Sequence, residues 1–314
     1  MLRELRGGLT ALALVVAGVL FAVSVDLGIP GQALLQSLRF HIAAALLGLV
    51  VLLFIGGAWR RAWVFALVFA ISAGQGVAIV YHQQEPRIAL AAAQSKPLLK
   101  LLSFNLLSNN QNGESIARFI AGSDADVAVL MEAAPIASHV EILRAAYPYF
   151  VGCGDGSRCG GVVILSRTPL GDITVQSMSG AWLNRLVTAS TTIDGQKLNV
   201  VAAHLVKPYF DDFAAEEFAK LGAVIGRLDG PVVLAGDFNA AAWSASIDGL
   251  LRRRSLVPGP SYPATWPVRL GPLGVPIDNI FTRAPLMITE VNALDDAMGS
   301  NHRGLLAEIA LAGP

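Results

Sequence analysis

The sequence predicts an α/β protein, a two-sheet α/β sandwich preceded by three transmembrane helices. Three observations predict it. Three long apolar runs without a charged side chain crowd into residues 1–82. Beyond them, apolar runs of strand length alternate with amphipathic helical segments. Polar residues with chemical capacity then stand where those apolar runs end.

Composition sets the frame. Of 314 residues, 54% are hydrophobic and 15% are charged, against about 45–50% and about 25% in ordinary soluble domains. The excess lies at the front. Residues 1–92 carry six basic and three acidic groups, and the rest carry seventeen and twenty. The later part is slightly acidic and lacks the broad basic face of a tight duplex binder.

The three apolar runs are residues 9–25, 42–58 and 62–81, each near the ~20 residues that span a bilayer core. Arg3, Arg6, Arg60 and Arg61 fall on one side if the chain weaves in and out. The positive-inside tendency makes that side cytoplasmic, with Arg39 as the outlier. Everything after Tyr81 is then expected outside, in a bacterium the periplasm or the cell exterior, with a multi-pass anchor in the inner or cell membrane. The Ala22-Val23-Ser24 segment is also a weak match to a signal-peptide cleavage site, which changes the number of anchors but not the side. Residues 83–97, bracketed by Pro86 and Pro97, read as a linker, and 98–314 as the catalytic domain.

Leu98–Leu107 reads as a strand with Asn105 near its end. Residues 114–121 follow at helical spacing, and Asp126–Leu130 is a short strand that runs into Glu132. Residues 136–147 have helical period, with His139 at the surface. Cys153 and Cys159, the only cysteines, either close a small disulfide loop or remain thiols; two ligands are too few for a structural zinc site. Strands are expected over 160–167, 185–194 and 196–206, the last two joined by an Asp194-Gly195 turn. The third carries His204, either a core histidine or a site residue. A helix over 212–228 precedes Pro231–Ala235, a fully buried strand that ends in Gly236-Asp237-Phe238-Asn239. Asp237 and Asn239 are two apart on an extended chain and face one spot. A short helix over 246–254 ends in three arginines that suit its negative pole. Residues 255–276 read as a long loop in which Thr265-Trp266-Pro267 either walls a cleft or pins the chain. Asp278 interrupts the next strand, and Ser300-Asn301-His302-Arg303 precedes the last, Leu305–Ala310.

Asn105, Glu132, His204, Asp237, Asn239, Asp278 and His302 share a place at the ends of strand candidates. Carboxylates, histidines and amides gathered at one sheet edge match metal-assisted attack of water on phosphate. A hard oxygen donor such as Glu132 suits Mg²⁺ or Mn²⁺. The chain contains no serine elbow, P-loop or dinucleotide glycine pattern to compete.

Ser103-Phe104-Asn105, Val129-Leu130-Met131-Glu132, Ala203-His204-Leu205, Gly236-Asp237-Phe238-Asn239, Ile277-Asp278-Asn279-Ile280 and Ser300-Asn301-His302 occur in an order that resembles the endonuclease/exonuclease/phosphatase family, in its membrane-anchored bacterial branch. The resemblance covers about residues 98–311. It implies metal binding by Glu132 with Asn105 adjoining, and activation of water by Asp237. It implies phosphate contacts from Asn239, His204 and Arg185, and transition-state stabilisation by His302, with Asp278 orienting a histidine. The family's last motif is usually Ser-Asp-His. Asn301 keeps an oxygen ligand for metal but loses a charge, which leaves a second reading open: a catalytically weakened binding or scaffold protein of the same fold. The expected substrate is a phosphodiester or phosphomonoester in a nucleic acid, a lipid head group or a small phosphate ester, and no protein partner is implied.

Overall fold

The computed structural model describes residues 2–29, 31–91, 95–152, 161–209 and 212–313. The Cys153–Cys159 pair lies outside them. Three long helices come first: α1 (Leu2–Ser24), then after the six-residue α2 (Gln32–Ser37) the helices α3 (Arg39–Ile55) and α4 (Trp59–Ala91). Of these, α1 and α4 are long and apolar enough to cross a bilayer, while α3, at 17 residues, is shorter. The helices weave. Arg6 donates to the Gly56 carbonyl and Arg61 to Thr10 Oγ1 at one end. At the other end Arg39 donates to the Val23 carbonyl at 2.8 Å and Gln75 to that of Ser24 at 2.8 Å. Leu20, Leu46, Leu53 and Phe65 fill the interior of this bundle.

The segment expected as a linker is mostly helical. Helix α4 continues through Pro86 to Ala91, and the first strand begins at Ser95. A proline inside a helix forfeits one backbone bond. Here the same turn is held from outside: the Gln83 amide nitrogen donates to the Ala242 carbonyl and to Asp248, Tyr262 donates to Gln83 Oε1, and Gln84 donates to the Gly259 carbonyl.

The rest is the expected sandwich. Its elements are β1 (Ser95–Asn105), α5 (Gly113–Gly122), β2 (Val127–Met131), α6 (Val140–Arg144), β3 (Tyr149–Val151), β4 (Val162–Ser166) and β5 (Leu170–Gln176). They continue with β6 (Leu186–Ile193), β7 (Gln196–His204), α7 (Phe213–Ile225), β8 (Val232–Asp237), α8 (Ala245–Arg254), β9 (Leu256–Pro258), β10 (Asp278–Arg283), β11 (Leu286–Ala293) and β12 (Leu305–Ala312). One sheet runs β11-β12-β1-β2-β4-β3 and the other β5-β6-β7-β8-β10-β9.

Strand alternation builds the layers. Leu99 and Leu101 of β1 face Val233 and Ala235 of β8 in the core between the sheets, whereas Leu102 and Phe104 pack outward against α5 and Val232 and Leu234 against α7 and α8. Strands covered on both faces read as continuous apolar runs. Each sheet has a central parallel pair with a helix in its crossover, β1-α5-β2 and β7-α7-β8. The turn at Asp194-Gly195 has both residues at positive φ, as a two-residue hairpin requires.

Candidate active site

The carboxyl ends of the two parallel pairs meet, and each of the four strands delivers one polar residue there. Asn105 closes β1, Glu132 follows β2, His204 closes β7 and Asp237 closes β8. His204 and Asp278 are the register partners of Asp237 on its two flanking strands. The two sheets are joined at this end by Asn105 Nδ2, which donates to Asp237 Oδ2 at 3.0 Å.

Asp237 sits at the centre. Its Oδ1 accepts from the Asn239 backbone N–H at 2.8 Å. Its Oδ2 has His204 Nε2 at 3.6 Å and His302 Nε2 at 3.8 Å. Burial, then the neighbouring Asp278, pushes its carboxyl up from the usual range. His302 Nδ1 lies 2.8 Å from Asp278 Oδ2, to which it donates. Burial works against charge on His302, but Asp278 and Asp237 overcome it and raise the imidazolium to about 9. With Asp278 on the acceptor side, Nδ1 carries the proton and Nε2 is aimed at the site.

Glu132 lies where the site opens to solvent. It has positive φ, rare for a residue with a side chain. Its Oε2 accepts from the Ser108 N–H at 2.8 Å and hydroxyl at 2.9 Å, and Asn105 reaches Oε1 at 3.4 Å. Burial alone would raise its carboxyl, but the Ser108 donors and His204 hold it below the ordinary value. His204 is nearly fully buried, and burial lowers it to about 4 against the pull of Asp237. Arg185 stands 3.5 Å from His204 and stacks over the Trp182 ring at 4.6 Å. Glu132, His204, Arg185 and Asn239 line one cleft of about 690 Å³.

Eight of the nine residues expected at the site therefore gather there. Asn301 is exposed and does not line this cleft. Asn239 also differs in detail: its amide donates to the Leu205 carbonyl at 2.8 Å, which fixes the side chain beneath the cleft. Thr265 pins the chain, its hydroxyl accepting from the Asp278 N–H, while Trp266 forms a wall.

Two residues escaped the sequence reading. Ser108 fixes Glu132. Glu217 of α7 is fully buried and accepts from the Ser179 hydroxyl at 2.6 Å and the Val206 N–H at 2.7 Å, tying both flanks of the cleft to one helix. A signal existed: with Ala214, Phe218 and Leu221, Glu217 lies on the apolar stripe of its helix.

The donors fit a divalent cation. Asp237, Asp278 and His302 offer ligand atoms within 4.8 Å of one another, and Asp278 Oδ1 is buried without a hydrogen-bond partner. Glu132 offers a carboxylate that is a quarter exposed and rigidly held. The chemistry separates the two: an imidazolium bonded to Asp278 donates protons rather than ligating, whereas an ionised, open carboxylate suits a hard ion.

A family model described as the endonuclease/exonuclease/phosphatase family matches residues 102–302. Solved structures share the fold. A protein titled endonuclease/exonuclease/phosphatase from Beutenbergia cavernae is 21% identical, with a TM-score of 0.57 over 69% of this chain and 72% of that one. Its counterpart from Bacteroides vulgatus is 17% identical, with a TM-score of 0.57 over 69% and 100%. A sphingomyelinase C from Streptomyces griseocarneus is 21% identical, with a TM-score of 0.50 over 68% and 99%. No curated protein matches the chain.

Proposed function

Because the chain belongs to the endonuclease/exonuclease/phosphatase family, we propose that it is a membrane-anchored, divalent-metal-dependent phosphoesterase. The observation that carries this reading is the junction of the two sheets: Asn105, Glu132, His204, Asp237 and Asp278 arrive on five strand ends, and His302 joins them through Asp278. Glu132, with Asn105 beside it, would hold Mg²⁺ or Mn²⁺. When bound, the ion neutralises charge on the phosphoryl oxygens. Asp237, its pKa raised by burial, takes a proton from the attacking water. His302, held charged by Asp278, donates from Nε2 to the oxygen on which charge builds. Arg185 and Asn239 flank the phosphate, and neutral His204 packs against both carboxylates.

The anchor belongs to the same reading. Leu14, Phe21, Ile55, Trp63, Leu67 and Ile71 project outward from the helical bundle. An apolar belt of that size on a protein surface is otherwise an aggregation hazard. Four arginines at one end of the bundle orient it with the catalytic domain outside the cytoplasm. A reporter phosphatase fused after the C-terminus is expected to be active; an inactive phosphatase fusion with a fluorescent cytoplasmic one would reverse the orientation.

The enzymatic reading is tested with the full chain in detergent and bis-(p-nitrophenyl) phosphate. Hydrolysis is expected with Mn²⁺ or Mg²⁺ and not with chelator. Asp237→Asn should lower kcat by ~10²–10⁴-fold. Glu132→Gln should shift the metal dependence to higher concentration by ~10–100-fold. A protein inert with every metal would favour the binding or scaffold reading, to which the exposed Asn301 lends its missing charge.

A further inference from the structure

We propose that the substrate is a membrane amphiphile, a phosphate ester bearing a hydrocarbon chain that enters the site along the anchor; the proposal rests on the phosphoesterase reading and gives it a substrate class. Beside the catalytic cleft lies a second cavity of about 260 Å³, which shares Lys207, Tyr209 and Asn239 with it. His302 and Asn239 also line it. The site therefore has two arms that meet at Asn239.

The arms differ in chemistry. The larger one holds Glu132, His204 and the Arg185–Trp182 stack. The smaller is walled on one side by Trp266, Val275 and Ile277 of the catalytic domain and on the other by Leu34 and Leu38. Leu34 belongs to α2, and Leu38 joins α2 to α3; Leu38, Trp266, Val275 and Ile277 form one apolar cluster. Thus the lining passes from imidazole and amide to aliphatic within a single cavity, and Leu34 and Leu38 of the aliphatic part come from the anchor.

The placement of α2 gives the apolar wall a source of ligand. It sits at the outer ends of α1 and α3, held there by Gln32, which donates to the Ala22 carbonyl. Leu27, Ile29, Leu34 and Leu35 are exposed around it, an apolar rim at the level where a bilayer surface meets the domain. A nucleotide or sugar phosphate gains nothing from such a wall. A nucleic acid needs a basic track, and the catalytic part is net acidic. An alkyl chain lying against Leu34 and Leu38 places its phosphate at Asn239 and His302 and its polar substituent in the larger arm, with Lys207 at the shared rim.

The test compares p-nitrophenyl ethyl phosphate with p-nitrophenyl octyl phosphate, the latter below its micellar concentration, on the full chain in nanodiscs. Burial of each methylene is worth about four-fold, so kcat/KM for the octyl ester should exceed that for the ethyl ester by at least ~30-fold. Leu34→Asp/Leu38→Asp, and separately Leu38→Trp, which fills the cavity, should bring the ratio below about 3. Equal turnover of both esters overturns the lipid proposal and leaves the phosphoesterase reading intact. Turnover of neither ends the phosphoesterase reading, and a second arm then decides the lipid seat. A diazirine-bearing alkyl phosphate is expected to label the peptides holding Leu34–Leu38 and Trp266–Ile277; labelling confined to α1, α3 and α4 overturns the seat.

Discussion

His204 and His302 share one buried junction and end in different charge states, one neutral and one cationic. Burial disfavours charge on both. For His204 it wins, and the ring stays neutral down to about 4. For His302 the carboxylates of Asp278 and Asp237 win, and the ring stays charged up to about 9. Each departs from the ordinary value of 6.5 and so links stability to pH. Between pH 6.5 and 4 the unfolded chain binds the His204 proton and the folded chain does not, so stability falls as pH falls. Between pH 6.5 and 9 the folded chain keeps the His302 proton that the unfolded chain releases. The His302 contribution is full below 6.5 and is lost as pH rises through 9. In chelator, the two histidines make the melting temperature of the full chain fall away on either side of pH 6.5, and the raised carboxyl of Asp237 offsets part of the acid limb. His302→Gln should flatten the alkaline limb and His204→Gln the acid limb; a limb that survives its own substitution counts against the assigned charge state.

At the scale of elements, the two strand-helix-strand units explain both what was legible and what was not. Strands β1, β2, β7 and β8 are covered on both faces, so each shows as an apolar run, and the polar residue at its end stands out against that run. The same contrast marks Asp278. Strand β5 gives no such contrast because it is an edge strand exposed along most of its length, and β11 is broken by a register shift between Ile288 and Glu290. Helix α2 is six residues long and takes its place from tertiary contacts, which no local periodicity encodes. Asn301 stands apart for another reason: its neighbours Ser300 and His302 are buried, while Asn301 itself is exposed. The parallel pairing also constrains Gly236. A Cβ there would lie 1.8 Å from the Ala203 carbonyl oxygen, so β7 and β8 can approach only without one. Gly236→Ala should lower the melting temperature by roughly 6–12 °C, the effect of ~3 kcal/mol of backbone displacement in a unit of about 150–250 residues such as the sandwich. Gly180→Ala, with nothing within 4 Å of its Cβ, should change it by less than about 2 °C. Similar shifts for the two would remove close strand approach as the role of Gly236.

At the scale of the whole molecule, the N-terminal helices are a structural part of the candidate site. The chain that leaves Asp237 runs into a segment clamped by α2: Ser37 Oγ accepts from the Ala241 N–H at 2.9 Å, Gln36 Oε1 from the Ala245 N–H at 3.0 Å, and Trp243 Nε1 donates to the Gln36 and Ser37 carbonyls. The Trp243 ring meets Phe40 edge-on at 4.9 Å. On the far side, Gln83 of α4 holds Ala242 and Asp248. A net contribution of ~1 kcal/mol for each of these bonds amounts to several kcal/mol of coupling between the N-terminal helices and the segment that follows Asp237. Without it, Asn239 is held by its side-chain bond to Leu205 and by the backbone N–H that fixes Asp237 Oδ1. A protease site placed between Ala91 and Ser95 allows the catalytic part to be separated from the helices. The isolated part should lose at least ~10-fold in kcat/KM on bis-(p-nitrophenyl) phosphate, and the amide protons of Ala241 and Ala245 should exchange faster than in the intact chain, since their acceptors on α2, Ser37 Oγ and Gln36 Oε1, are gone. Equal rates and equal protection would mean that the catalytic domain carries its own site and that the helices serve only to hold it at the membrane.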